Sequence, residues 1–425
     1  MIRRATPLAF ALAALLGWTL FLGVLVDRAE LFIAAVPLAV ALLAFGRAGA
    51  AQRFELHQEI SADRLAEGDR LLVTVTVAAT DPLPAIEILV ALPPLLEVEA
   101  GNNRVVFGIA AGGEASWSFQ VLCPARGRFE LGELYLRLWD RSGLIVRETR
   151  QSMAQPVSVY PYLATLRLVP QPLRTQHSFG NYVAPRLGEG IEPGEVRPFA
   201  PGDRIRHVNW RASLRHGQLF VTQHHEERNA DIVLLLDTLS ETGAPPYSTL
   251  DMCVRAAAAL AHAYLAKKDR VGFVEFGGYL RWINPATGRR QREVLVEALL
   301  PAATHFSYVV PQLDRLPPRV LPSQALVIAV TPLLDERFIK AMIDLAARGF
   351  DLIVLAVSPI EPTRRILSPS ALDDLACRLW AMEWRETAEA LRRRGLVILE
   401  WRANTPLQAA LAPVTRARPR GAARR

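Results

Sequence analysis

Two uncharged runs near the N-terminus limit this chain more than any other feature. Pro7 to Val26 holds 20 residues without a charge, enough at about 1.5 Å per residue to cross a hydrocarbon layer about 30 Å thick. A second run, Leu31 to Gly46, follows Asp27-Arg28-Ala29-Glu30. It is short for a full span unless Glu30 and Arg47 snorkel toward the interfaces. Residues 1–50 therefore read as a transmembrane hairpin in contact with the lipid bilayer. The rival is a cleaved signal peptide with Arg3 and Arg4 as its charged start. No small-x-small site closely follows Val26, and the second apolar run would then lack a purpose. Arg3 and Arg4 precede the first run and Arg47 and Arg53 follow the second, against Arg28 alone between them. The positive-inside rule then puts both ends, and the large domains, in the cytoplasm.

The rest is soluble in character. With 21% charged residues over 425 the chain is neither disordered nor polytopic, and its length allows two or three domains. Cys123, Cys253 and Cys377 are far apart and form no C-x-x-C pair, so neither a disulfide framework nor a zinc knuckle is expected. The net charge of +7 rests on arginine, since Lys267, Lys268 and Lys340 are the only lysines. Arg416, Arg418, Arg420, Arg424 and Arg425 crowd the last ten residues. Residues 413–425 thus read as a basic tail and not as a nucleic-acid-binding face.

Between them the hydrophobic period changes twice. From 54 to 159 it is two. Leu71 to Val77, Ile86 to Leu92, Arg104 to Ile109, Ser116 to Leu122 and Leu134 to Leu138 read as short strands separated by glycine and proline turns. No helical stretch interrupts them, which predicts a β-sandwich. Residues 160–228 carry many prolines and glycines and read as an irregular connector. Residues 229–412 alternate strand and helix. Asp231 to Asp237 is a buried parallel strand ending in an acid, Thr249 to Lys267 a helix, and Arg270 to Phe276 a strand. Further strands are expected at Ala325 to Val330, Leu352 to Val357 and Val397 to Trp401, with helices at Glu336 to Arg348 and Ala371 to Arg394. Such alternation predicts an open, doubly wound α/β sheet, with any ligand at the carboxyl ends of its strands, near Asp237 and the loop after Val330.

Several enzyme signatures fail on reading. No glycine precedes a lysine, so a P-loop is absent. Gly188-Glu189-Gly190 with Gly194 has the wrong spacing for a dinucleotide fingerprint, and Pro193 interrupts it. No serine is flanked by glycines two residues away on both sides, which removes the nucleophile elbow. His224-His225-Glu226-Glu227 lacks the second histidine that H-E-x-x-H needs, because position 229 is Asn. No catalytic residues can be named, and a hydrolase would need a centre that the sequence does not display.

The connector carries the specific signal. Arg197-Pro198-Phe199-Ala200-Pro201-Gly202-Asp203-Arg204-Ile205-Arg206-His207-Val208-Asn209-Trp210-Arg211-Ala212-Ser213-Leu214-Arg215-His216-Gly217 resembles the signature of the bacterial domain-of-unknown-function 58 family. Arg126-Gly127-Arg128-Phe129-Glu130-Leu131-Gly132 and Asp140-Arg141-Ser142-Gly143-Leu144 resemble its second motif. The resemblance implies an inner-membrane protein with a β-rich domain and a von Willebrand factor A-like α/β domain. It implies a partner or adaptor of a MoxR-type AAA+ ATPase and not an enzyme. Arg197, Pro201, Gly202, Asp203, Arg206, Asn209, Trp210 and Glu226 become the motif residues to follow. Pro201-Gly202-Asp203 is a turn that can bring Asp203 to Arg206 or Arg197. Two readings stay open. Either an ion pair and buried aromatic anchors, Trp210 and Phe199, pin the connector on the α/β domain, or the segment is a partner-recognition surface.

The same resemblance implies an Mg²⁺ site of the D-x-S-x-S type, but the chain departs from it. Asp237-Thr238-Leu239-Ser240-Glu241 has Leu and Glu where hydroxyls belong, and Thr331-Pro332-Leu333 has proline where an acid belongs. Asp237, Ser240, Thr304 and Asp335 are the only candidates left to improvise a site. No cofactor is expected; an adhesion-type module with a divalent metal is the alternative that would need one.

Overall fold

The computed structural model describes residues 2–46, 52–171, 176–200, 203, 205–229, 231–305, 316–317, 320–322 and 325–417, with backbone alone for 2, 44–46, 176–195, 206, 223–229 and 416–417. The chain divides into two units, Met1–Tyr160 and Pro161–Arg425.

In the first unit, strand β1 (Ile2–Ala5) leads into helices α1 (Pro7–Val26) and α2 (Ala29–Gly46). Nine strands follow: β2 (Phe54–Ile60), β3 (Arg64–Ala66), β4 (Arg70–Ala79), β5 (Leu83–Ala91), β6 (Glu97–Ala100), β7 (Arg104–Ile109), β8 (Glu114–Leu122), β9 (Gly127–Trp139) and β10 (Ile145–Tyr160). Two sheets form, one in the order β1-β10-β9-β5-β7 with β3 also on β10, the other β2-β4-β8-β6. Their shared core is built by alternation. Val73, Val75 and Val77 of β4 and Ile86, Ile88 and Val90 of β5 point inward with Leu134, Leu136 and Leu138 of β9, while the residues between them lie on the opposite faces of the sheets.

β1 ties the apolar helices to this sandwich. Ile2 to Ala5 pair antiparallel with Ile145 to Glu148. Thr6 then donates its backbone N–H to Leu144 O at 3.0 Å and its hydroxyl to Gly143 O at 2.8 Å, while accepting from Ala9 N at the start of α1. The second motif is the socket for this joint. Asp140 accepts from Ile145 N at 2.9 Å and from both the N–H and hydroxyl of Ser142, closing the turn that presents Gly143 and Leu144. Burial pushes the Asp140 carboxyl up, but these bonds outweigh it and hold it below its ordinary range. Since β2 opens the same sandwich soon after α2, both ends of the helical pair lie on the sandwich side. Among the described residues only α1 is long and apolar enough to cross a membrane by itself, with mean hydropathy 2.3; the apolar part of the second helix is shorter, Ala29–Leu43.

Gly132, in the first half of that motif, sits at φ +123°, and a Cβ there would lie 2.5 Å from the Met153 carbonyl oxygen. The β9–β10 register shifts beside it, between Ser152 and Gln155. Gly132→Ala should therefore cost the sandwich about 2 to 4 kcal/mol, through both the disfavoured φ and the overlap; a chemical-denaturation midpoint equal to that of the wild type would refute this.

The second unit begins with a two-stranded ribbon, β11 (Gln176–Pro198) and β12 (Phe220–Asn229), linked through a 3₁₀ turn (Ile205–His207) and helix α3 (Trp210–His216). The α/β layers then run β13 (Asp231–Asp237), α4 (Thr249–Ala266), β14 (Arg270–Phe276), β15 (Leu280–Ala286), α5 (Gly288–Leu299), β16 (Leu326–Thr331), α6 (Glu336–Ala347), β17 (Asp351–Val357), α7 (Ile360–Arg364), α8 (Ala371–Arg393), β18 (Val397–Trp401) and α9 (Leu407–Ala417). The sheet order is β15-β14-β13-β16-β17-β18, parallel except for the edge strand β15. Apolar faces of α4, α5 and α9 cover one side, and α6 and α8 the other. The central strands are buried on both sides, which is why they read as unbroken apolar runs.

Two expectations need correction. The connector is not irregular throughout: nearly half of it is the β11–β12 ribbon, whose four register shifts accommodate residues such as Pro185 and Pro193 that a regular ladder would reject. Its first residues are strapped to the α/β layers. Val169 is in the core, Tyr264 donates its hydroxyl to Pro170 O, and Gln408 accepts from Arg167 N at 2.8 Å and donates to Leu168 O at 3.0 Å. Nor does a tail begin at 413. α9 continues through Pro413, and Val414 is buried in the core; Arg418, Arg420, Arg424 and Arg425 lie outside the described residues.

Candidate interaction site

The connector motif folds by consuming its own polar groups. Asp203 accepts from Ala200 N at 2.8 Å and donates its N–H to Ala200 O at 3.0 Å, closing a tight turn. Arg197 reaches across with both guanidinium ends, at 2.8 and 2.7 Å, onto the two carboxylate oxygens. The Arg197 hydrogen bonds, helped by Ala200 N, hold Asp203 below the usual carboxylate range, and the same contact raises Arg197. Of the two partners open to Asp203, Arg197 is the one seen on it among the described residues. Pro201, Gly202 and the Arg206 and Glu226 side chains lie outside the described residues.

Asn209 then starts α3. Its side-chain oxygen accepts from Ala212 N at 3.0 Å, and its amide donates to Thr222 Oγ1 at 3.0 Å. Ser213 gives its hydroxyl to Asn209 O at 2.8 Å and accepts from Phe220 N at 2.9 Å, so α3 is stitched to β12. Gly217 ends the helix at φ +66°, where a side chain would be strained. Inward-facing Val208 and Val221 pair across the turn and are buried.

The apolar residues left over face solvent. Trp210 is 60% exposed, Leu214, one helical turn on, is 85% exposed, and Ile205 is 72% exposed. The expectation of a buried Trp210 anchor is thus overturned: Ser213 is the α3 side chain turned inward. Single exposed apolar residues are ordinary, but Trp210 and Leu214, four residues apart on α3, share one face of the helix.

At the carboxyl end of β13, Asp237 is fully buried. It accepts from the Thr331 hydroxyl at 2.6 Å and from Leu239 N at 3.0 Å. Burial pushes its pKa up to about 7, against those two bonds. Asp335 caps α6 and is held by Arg337 at 2.7 Å in a two-pronged pair. Burial raises Asp335, but the Arg337 bonds outweigh it and keep its carboxyl low. The Ser240 and Thr304 hydroxyls are buried without a hydrogen-bond partner among the described residues. Among the described residues no three His, Cys, Asp or Glu side chains cluster as metal ligands. Thr331, absent from the candidates drawn from sequence, is Asp237's closest partner; its hydroxyl also accepts from Leu333 N at 2.9 Å, and Leu333 is held at φ +59°.

The ordered motif and the acid-ended strand beside it lie within one segment. Residues 195–368 match the DUF58 family model, described as "Protein of unknown function DUF58". The DUF58 match starts just before Arg197 and stops before α8. An uncharacterized protein of Bacillus subtilis (strain 168), YeaD, is 24% identical over 230 residues, 53% of this chain and 56% of YeaD. Uncharacterized protein Rv1480 of Mycobacterium tuberculosis (strain ATCC 25618 / H37Rv) is 26% identical over 123 residues, 28% of this chain and 39% of that protein. The chain thus spans less than two thirds of these curated relatives. Among solved structures, the cupredoxin domain of amoB from Nitrosocaldus yellowstonii is 15% identical, covering 27% of this chain and 90% of that one with a TM-score of 0.19. The cohesin of Archaeoglobus fulgidus is 17% identical, covering 25% and 91%, at 0.18. Likenesses of that size say nothing about function.

Proposed function

We propose that this chain is a membrane-tethered, cytoplasm-facing interaction protein that docks a partner through the exposed face of α3 and catalyses no reaction. The observation that carries the reading is the division of labour in the motif. Arg197, Asp203, Asn209 and Ser213 are spent on internal bonds, while Trp210, Leu214 and Ile205 are held outward on the frame they build. Tryptophan is among the residues most enriched at binding hot spots, and a preformed face loses little entropy on docking.

The DUF58 resemblance supports a MoxR-type AAA+ ATPase as the partner, and the absence of a P-loop from the sequence agrees with ATP-driven work being supplied from outside. The parallel sheet with an acid ending β13 supports a von Willebrand factor A-like reading of the α/β unit. We read α1 and α2 together as two membrane spans. β1 and β2 flank them in one sandwich, so both ends emerge on the same side, and the arginine count makes that side the cytoplasm.

We also propose that no Mg²⁺ resides at Asp237. Hard divalent cations want several ionised oxygens, and here one carboxyl is driven toward its neutral form while Asp335 is committed to Arg337. On this reading, millimolar Mg²⁺ leaves the melting temperature unchanged, since only a ligand that binds the native state raises it; an upward shift abolished by Asp237→Ala would overturn it.

The docking test uses the full chain in detergent and the cognate ATPase. Wild type should retain the ATPase in at least one of the ATP, ADP and nucleotide-free states, and Leu214→Ser should weaken retention at unchanged melting temperature. Failure of the wild type in all three states would end the adaptor reading. A reporter fused after residue 50 should report the cytoplasm; a periplasmic signal would reverse the orientation.

A further inference from the structure

Helix α8 has two apolar stripes, and the fold uses one. Cys377, Trp384, Ala388 and Leu391 are buried, the last three in the core beside the sheet. Leu372, Leu375, Leu379 and Met382 are 79, 53, 54 and 65% exposed. At 100° per residue the second set centres on the side of the helix opposite the first. Its spacing, three then four then three, is the a and d pattern of a coiled-coil seam. This helix lies outside the 195–368 DUF58 match.

We propose that this stripe is the contact between two copies of the chain, whose α8 helices pair in parallel and in register about a two-fold axis. The charges beside the seam select this partner and this direction. With Leu372 and Leu379 at a and Leu375 and Met382 at d, Arg378 takes a g position and Glu383 the following e position. In a parallel pair each g residue meets the e residue five places on in the other helix. Arg378 of either copy then faces Glu383 of the other, twice by symmetry. Both side chains are exposed and neither takes part in an ion pair within the chain among the described residues. Antiparallel pairing over the same stripe would instead bring Arg378 against its own copy near the axis, a like-charge contact.

The seam is short, and two heptads would not fold as an isolated coiled coil. Here α8 is already held by its buried face, so pairing does not have to order the helix. The seam also has a natural end. Glu386 and Glu389 occupy the next a and d positions, where each would meet its own copy, so the helices must diverge beyond Met382.

Cysteine cross-linking of the full chain tests the arrangement, with the wild type as control because Cys123, Cys253 and Cys377 are buried. Leu372→Cys and Met382→Cys should each form a disulfide-linked dimer under mild oxidation, at least about tenfold above wild type. Adding Leu375→Glu to either should remove the dimer while the melting temperature holds. Arg378→Glu should lower the yield, and the swap Arg378→Glu with Glu383→Arg should restore it. The proposal is overturned if neither cysteine links to its own copy, if the link survives Leu375→Glu, or if a dimer appears only when the two cysteine variants are mixed, the antiparallel result. Partner docking through α3 is a separate readout and can succeed or fail independently of these outcomes.

Discussion

The contribution of Asp237 to the stability of the α/β unit should fall as pH rises from about 4 to about 7, and Asp237→Asn should remove that part of the pH dependence. Asp237 is buried at the end of β13 and its pKa is raised to about 7, while an unfolded chain titrates the same group near its ordinary value of 3.8. Below about pH 4 both states carry the proton, and the group leaves stability unchanged. Between about 4 and about 7 the native state keeps the proton that the unfolded state has lost, so each unit of pH shifts the balance toward unfolding by about 1.36 kcal/mol. Above about 7 both are ionised and the slope ends. The whole interval is worth on the order of 4 kcal/mol, an upper figure, because relaxation around a buried carboxylate lessens its cost. Asparagine keeps the shape, accepts from Leu239 N and can donate to Thr331, but does not titrate. Unfolding of the full chain in detergent, compared between wild type and Asp237→Asn from pH 4 to 8, isolates this group from other titrating side chains. Parallel curves would mean that Asp237 remains ionised in the folded protein.

How far this architecture can be read before folding depends on the residue in question. Ile232 to Leu236 and Leu326 to Val330 announce buried parallel strands because nothing polar interrupts them, and the structure places both at the centre of the sheet. β15 escapes notice because Asn284 and Pro285 break its pattern; an edge strand tolerates them, as a central one would not. α9 goes unnoticed because the arginines crowded into the last ten residues make 413–425 look like a tail, yet the helix runs through Pro413 and buries Val414. The ribbon of β11 and β12 hides behind glycines and prolines that its shifted register accommodates.

The motif divides in the same way. The turn signal at Pro201-Gly202 leaves Arg197 and Arg206 both open as partners of Asp203, and the pair seen among the described residues is Arg197–Asp203. The direction of Trp210 does not follow from anything local. α3 is a single short helix of seven residues, too brief for a periodic pattern to declare an inner face. Large apolar residues are ordinarily the ones turned inward. Here Ser213 is turned in because its hydroxyl serves both Asn209 O and Phe220 N, and that fixes Trp210 outward.

Two tryptophans should therefore respond oppositely to truncation. Trp384 on α8 is 5% exposed, packs against α6 and the sheet, and donates its indole N–H to Pro332 O at 2.8 Å. Trp384→Ala should cost about 3 to 5 kcal/mol, from the cavity it leaves and the orphaned carbonyl. The damage should spread to Asp237, because Pro332 follows the Thr331 that holds that carboxyl. Trp210→Ala should change stability by about 0.5 kcal/mol or less, as truncations of solvated side chains do. It should nevertheless weaken retention of the ATPase by about 2 kcal/mol or more if α3 is the docking face. Denaturation midpoints and a binding isotherm on the same two variants decide the matter. Equal destabilisation by both would show that Trp210 is a packing residue in solution. A Trp210→Ala protein that is stable and binds its partner undiminished would move the docking face away from α3.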